Sequence, residues 1–364
     1  MNSLTLTFVL PKLIDHPIGG YKVHYQFANG LAKRGHTVTL VHPISDGPHA
    51  SLRDRVHLWR ALRAQRRTGR PPIGWFEFDG PVRSVLVPVL DARLPVADAT
   101  ILTAWQTAAR TVQPVPRAGR MVQIVYDYEF WMSEPERRVE ISSALGRSDV
   151  LHIATSGVVG RMLEEIGAPP VTTIQAGLNE GEFGVDVLPE ERDLVVGFAR
   201  RFQPSKDGTT ALAAVQAIHD AMPAAKFICF GHSPEGAVPP WVESLGTLTH
   251  DELRRFYNRC SIFLLTSRFE GWGLPALEAM ACGAAVVSTS SGGVEDFMVD
   301  GSNGLLVPVA DAEAVASATV GLLADEARRQ RIARQAAIDA SSWTMARSIE
   351  QLEALLASAV EAAG

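Results

Sequence analysis

Apolar residues along this chain fall into short runs that alternate with stretches of helical period, and glycine- or proline-rich breaks separate them. Leu4 to Leu10 predicts a short buried strand that ends in a proline-containing loop. A Gly19-Gly20 pair follows, then a predicted helix from about Tyr21 to Lys33, ended by Gly35, and a strand from His36 to Val41. Further strands are expected at Arg83 to Val87, Thr100 to Leu102, Met121 to Tyr126 and Val150 to Ala154. A second alternating set opens at Asp193 to Phe198. It runs through a helix at Thr210 to Ala221, a strand at Lys226 to Phe230 and a helix at Asp251 to Arg259. Ser261 to Thr266 is the next strand, followed by a helix closed by Gly283 and a strand at Ala285 to Ser288. Such alternation predicts an α/β fold of parallel sheets flanked by helices. Gly177 to Glu191, rich in Gly, Glu and Asp, reads as the linker between the two sets. The final helical stretch, Trp343 to Ala359, places Ile349, Leu352, Leu355 and Leu356 near one face.

Composition narrows the class. At 364 residues and 46% hydrophobic, the chain suffices for two domains with separate cores. A net charge of −6 argues against nonspecific nucleic-acid binding. Cys229, Cys260 and Cys282 are odd in number and scattered, as in reduced, buried thiols of a cytoplasmic protein. The N-terminus lacks the basic start of a signal peptide, and no stretch is long enough to span a bilayer. Asp-x-Asp, His-Glu-x-x-His, Cys-x-x-Cys, Gly-x-Ser-x-Gly, P-loop and Gly-x-Gly-x-x-Gly signatures are all missing. Redox, metal-hydrolase and serine-hydrolase chemistry therefore has no anchor.

The segment Phe269 to Met280 carries the most chemistry. Glu270 and Glu278 stand eight positions apart across a glycine-rich turn, with Pro275 suited to the first turn of a helix. A strand, glycine turn, helix order sets free N–H groups and a positive helix end at the mouth of a sheet. An anion site with acids placed to hold hydroxyls suits a ligand that is both sugar and phosphate.

This stretch resembles the E-x7-E signature of the family 4 retaining glycosyltransferases, with Trp272 where that family usually has Phe. The resemblance covers about Pro17 to the C-terminus and is strongest from Val195 to Pro308. It implies a GT-B fold: two Rossmann-like domains facing a cleft, 1–184 and 185–341, with a last helix, 342–364, returning to the first. It implies a retaining, metal-independent transfer of sugar from a nucleotide diphosphate to a hydroxyl acceptor, with no cofactor. Glu270 would lie near the transferred sugar and Glu278 on the ribose hydroxyls, with Gly271, Trp272, Gly273 and Leu274 around phosphate or sugar. Arg201 (Arg200 as the alternative) and Lys206 match the cations that hold the donor diphosphate. Gly19 and Gly20 match a second anion site, although a tight turn explains such a pair equally well. Thr249 falls in the segment that reads the base, or is only a helix cap. A turn at Ser290 to Asp296 opens an expected further helix, in which Glu295 receives no role.

A departure from the family falls at Tyr126-Asp127, where many relatives have His-Asp and the His bonds the donor's 6-hydroxyl. The substitution suggests a donor without that hydroxyl, such as a rhamnose nucleotide, or one offering another group. Ser51 to Arg70 carries seven arginines against one Asp, with Leu52, Val56, Trp59 and Leu62 at helical spacing. Such a helix can lie peripherally on the inner membrane surface, or pack its apolar stripe on its own domain. A nucleotide-sugar 2-epimerase, a hydrolase or phosphorylase of the same fold, and a catalytically silent GT-B subunit are the alternatives. Glycan, glycolipid and natural-product acceptors all remain open.

Overall fold

The computed structural model describes residues 3–45, 49, 51–68, 73–90, 94–111, 119–201, 203–231 and 238–362. Phe202, and positions 69 and 70 of the basic segment, lie outside the described residues. The chain divides into two compact units, Met1–Gly177 with Met345–Gly364, and Leu178–Thr344.

The first unit is built on parallel strands β1 Thr5–Val9, β2 Thr37–Pro43, β3 Val82–Val87, β4 Ala99–Leu102, β5 Arg120–Val125, β6 Val150–Ala154 and β7 Thr172–Thr173. Their spatial order is β3-β2-β1-β4-β5-β6-β7. Helices α1 Gly19–Lys33, α2 Leu52–Thr68, α3 Trp105–Arg110, α4 Tyr128–Ser133, α5 Arg138–Leu145 and α6 Gly157–Ile166 connect them. The strands are apolar because both faces are covered: Leu6, Phe8, Val9, Leu40, Ile101 and Leu102 are all buried.

In the second unit the strands are β8 Val195–Ala199, β9 Lys226–Phe230, β10 Val242–Ser244, β11 Ile262–Leu265, β12 Ala285–Thr289 and β13 Leu305–Val307. All pair in parallel, in the order β10-β9-β8-β11-β12-β13. Helices α7 Gly208–Ala221, α8 His250–Arg259, α9 Leu274–Ala281, α10 Ala312–Ala324 and α11 Glu326–Ala340 belong to this unit. The segment expected as a linker is bound to it. Asn258 Oδ1 accepts from the Asp186 and Val187 N–H groups, Arg254 pairs with Asp186, and Arg192 donates to the Val187, Cys260 and Cys282 carbonyls. The expected helix after Ser290 is a correction: only a 3-10 turn, Gly293–Asp296, forms there. Two glycines in succession favour that short turn over a helix.

The last helix, α12 Met345–Glu361, belongs to the first unit and packs on α1. Its apolar stripe is Ile349, Leu352 and Leu356. Burying each stabilises the packing by roughly 1.5–3 kcal/mol. Gly30 permits the approach, since a Cβ there would stand 2.2 Å from Ile349 Cδ1. Glu353 accepts from Arg34 Nε and His36 Nε2, while His36 Nδ1 accepts from the Leu4 N–H.

Candidate functional site

In the second unit the chain leaves β8 toward β9 and β10, then returns to place β11, β12 and β13 on the other side. The strand order reverses between β8 and β11, and their carboxyl ends are where a ligand crevice opens in such sheets. The loop after β8 holds Arg200, Arg201 and the 3-10 turn Pro204–Lys206; the loop after β11 holds Thr266 to Gly273. The two are stapled together: Arg268 N–H donates to the Ser205 carbonyl at 2.7 Å, and Arg268 Nε lies 2.8 Å from Asp207 Oδ2. Asp207 takes a left-handed φ of 45°, and its carboxylate accepts from the Thr210 N–H to cap α7.

Lys206 Nζ lies 3.1 Å from Glu270 Oε1, with both side chains largely buried. Ser267 Oγ donates to the same oxygen at 2.7 Å. Glu270 is held at its backbone too: its N–H donates to the Ser291 carbonyl, and its own carbonyl accepts from the Gly293 N–H. Gly273 starts α9 in the left-handed region, at φ 98°, and a Cβ there would meet Val294 Cγ1 at 2.5 Å. Pro275 has no N–H, which leaves those of Gly273 and Leu274 as the first donors at this helix end. Glu278, one turn on, is 6% exposed and accepts from the Tyr257 hydroxyl at 3.0 Å. The Arg201 charge falls on that hydroxyl, whereas the Arg200 charge falls on the Cys229 thiol. Arg201, Lys206, Glu270 and Glu278 thus share one end of one sheet.

Other expected residues lie differently. Trp272 is 3% exposed and its ring packs against Phe297 and Trp343. Gly271 is buried on the same turn. Thr249 is exposed and caps α8: its N–H and Oγ1 both donate to Glu252 Oε2. Ser267, Asp207 and Tyr257 were not anticipated, and nothing in their spacing marks them.

The first unit has its own reversal, between β1 and β4. Gly19 and Gly20 open α1 on this side with no side chain capping the helix, and a Cβ on Gly20 would meet nothing within 4 Å. Tyr126 and Asp127 follow β5. His24, also missed by the sequence, is buried in α1 and donates from Nε2 to the Thr103 carbonyl at 3.1 Å. Its ring meets that of Tyr126 edge-on at 5.3 Å. Burial holds this histidine neutral, down to about 3. Asp127, 2% exposed, is pushed up to about 7 by burial, opposed only in part by the Trp105 N–H. His24 Nδ1, the Tyr126 hydroxyl and Asp127 Oδ2 are buried without a protein partner. Unpaired groups of this kind are what a ligand hydroxyl or water satisfies.

Helix α2 turns Ala61, and partly Leu58 and Leu62, inward. The expected stripe is therefore split: Leu52, Val56 and Trp59 are exposed, at 80%, 44% and 59%, and Arg63 lies over the Trp59 ring. No described helix is long and apolar enough to cross a membrane.

Two parallel sheets, each with a reversal of strand order, are the architecture of the GT-B class. Residues 193–325 match the family described as Glycosyl transferases group 1. A D-inositol 3-phosphate glycosyltransferase of Salinispora tropica is 31% identical over 255 residues, covering 60% of this chain and 53% of that protein. The lipopolysaccharide core biosynthesis glycosyltransferase LpsE of Rhizobium meliloti is 41% identical over 85 residues, covering 23% of this chain and 25% of LpsE. The chain thus spans about half the length of the first relative and less of the second. Among solved structures, sucrose-phosphate synthase of Thermosynechococcus elongatus superposes with a TM-score of 0.73 at 17% identity, over 98% of this chain and 99% of that one. Anabaena HepE, solved with UDP and glucose, gives 0.73 at 17% identity over 98% and 100%. Residues 193–325 thus resemble the group 1 glycosyltransferases, and the chain has the GT-B fold.

Proposed function

We propose that this protein is a retaining, metal-independent glycosyltransferase that moves a sugar from a nucleotide diphosphate to a hydroxyl acceptor. The observation that carries the reading is the placement of Lys206 beside Glu270 at the β8–β11 reversal, with Arg201 on the same loop as Lys206. Breaking the sugar–phosphate bond builds negative charge on the departing diphosphate. Preorganised cations and helix N–H groups stabilise that charge, so no metal ion is called on. Glu270 then contacts the transferred sugar and Glu278 the ribose. The acceptor oxygen attacks the anomeric carbon from the face the phosphate leaves, and the phosphate oxygen takes the acceptor proton. Configuration is retained, and no protein base is needed.

Arg201 is the better candidate of the two arginines, because its charge reaches the Tyr257 hydroxyl that Glu278 accepts from. Tyr126 and Asp127 are assigned to substrate hydroxyls. The unpaired Tyr126 hydroxyl favours a donor that offers it a hydrogen-bonding group over one that presents a bare methyl. The neighbour HepE was solved with UDP, which makes UDP-sugars the first donors to try. Incubation with UDP-, GDP- and dTDP-sugars and polyol or glycan acceptors, with EDTA present, tests the reading by product mass and anomeric configuration. An inverted product, free epimerised donor, or dependence on added metal would reject it.

The exposed Leu52, Val56 and Trp59, flanked by arginines on α2, support peripheral contact of this helix with anionic lipid. Neutralising Arg63, Arg66 and Arg67 is expected to abolish sedimentation with anionic vesicles; unchanged partition would dismiss the contact.

A further inference from the structure

Tyr257 lies in α8, outside the motif that contains Glu278, yet the two meet in the core of the second unit. The tyrosine ring is fixed edge-on by Phe183, Phe230, Phe256 and Phe263, with centroids 5.2 to 6.2 Å away. Its hydroxyl donates to Glu278 Oε2 at 3.0 Å, and both residues are buried. Burial first, and the Glu278 charge second, raise the phenol well above its ordinary range, so the hydroxyl stays a donor throughout the working pH range. A glutamate has three side-chain torsions, and ordering them opposes ligand binding unless a neighbour has already fixed them. A hydroxyl on a caged ring supplies that fixing: it sets the plane of the carboxylate before a ligand arrives.

We infer that Tyr257 is a positioning residue, which orients the Glu278 carboxylate toward a ribose hydroxyl of the donor nucleotide. This rests on the assignment of Glu278 to the ribose made above. Tyr257 would touch no part of the ligand itself. Its effect is therefore confined to ligands that carry the hydroxyl that Glu278 receives, and a purely structural tyrosine would show no such selectivity.

The test is calorimetric titration of the full chain with the tightest of UDP, GDP and ADP, and with the 2′,3′-dideoxy form of that nucleotide. Wild type should prefer the ribose form by about tenfold or more, the range of a hydrogen bond to a charged group. Tyr257→Phe keeps the ring and its packing. It should weaken the ribose form about tenfold while leaving the dideoxy form within about twofold, so that the preference collapses. Equal weakening of both forms, no change in either, or a variant that does not fold would overturn the positioning role, since that role needs only the hydroxyl. Glu278→Gln separates the two levels. If it too leaves the ribose preference intact, or if no nucleotide binds wild type, the ribose assignment falls and the inference with it. If Glu278→Gln removes the preference and Tyr257→Phe does not, only the inference falls.

Discussion

At the β8–β11 reversal the two glutamates are paired with protein side chains: Glu270 with Lys206 and Ser267, Glu278 with Tyr257. The β1–β4 reversal of the first unit differs, for His24 Nδ1, the Tyr126 hydroxyl and Asp127 Oδ2 are buried atoms that meet no protein partner. One topology therefore carries two kinds of polar cluster. The second unit holds its charges in place before any ligand arrives, as a site for a charged diphosphate must if reorganisation is to be small. The first unit keeps a neutral imidazole and a carboxyl that burial favours in its protonated form, which suits uncharged hydroxyl groups. Its unpaired groups lower stability in the free protein, a cost that a ligand relieves.

Five variants would break or sharpen this contrast. Lys206→Ala should lower kcat by about 10²- to 10³-fold, the scale of losing a preorganised charge stabiliser. Asp127→Ala should act mainly on KM, and steady-state kinetics on both variants would show whether the two clusters divide the work in this way. Next comes Asp127→Asn. With Asp127 at about 7 in the fold and an ordinary value of 3.8, the unfolded chain ionises first as pH rises. Folded-state stability therefore falls between about pH 4 and pH 7, by a few kcal/mol at most, and the asparagine variant escapes that fall. Thermal unfolding should show the variant gaining on wild type from pH 4 to pH 8; a constant gap would mean that Asp127 is not held protonated.

Gly273→Ala should cost about 1–3 kcal/mol through the left-handed φ and the crowding at Val294, seen as a fall of several degrees in Tm. No change would mean that the turn before α9 is looser than its geometry implies. The smallest effect is expected from joint neutralisation of Arg63, Arg66 and Arg67. Stability should move within about 0.5 kcal/mol, because none of them supports either reversal. A larger loss in chemical denaturation would place α2 in the fold's energetics.

The α/β alternation was legible because buried parallel strands write continuous apolar runs, and Phe8 to Leu10 or Ile262 to Leu265 show that pattern directly. The Glu270–Glu278 segment was legible because one contiguous stretch supplies strand, turn and helix. The supporting residues were not. Tyr257 and Ser267 reach the acids from α8 and from the loop after β11, and His24 lies on an inner face of α1. Such contacts depend on which side chains the packing turns toward each other, which local spacing does not encode. Trp272 shows the converse: its place in the motif suggested a ligand contact, and the fold used its ring for packing against Phe297 and Trp343. The α2 stripe was ambiguous for a related reason, since helical period finds apolar faces but does not say which one the domain covers.

The central claim is that cations at the β8–β11 reversal are there for a diphosphate. It is tested most directly by titrating UDP and uridine into wild type and the Arg201→Ala, Lys206→Ala double variant. Wild type should bind UDP at least about 100-fold more tightly than uridine, and the double variant should lose most of that preference while keeping its affinity for uridine. A double variant that still prefers UDP to the same degree would contradict the account.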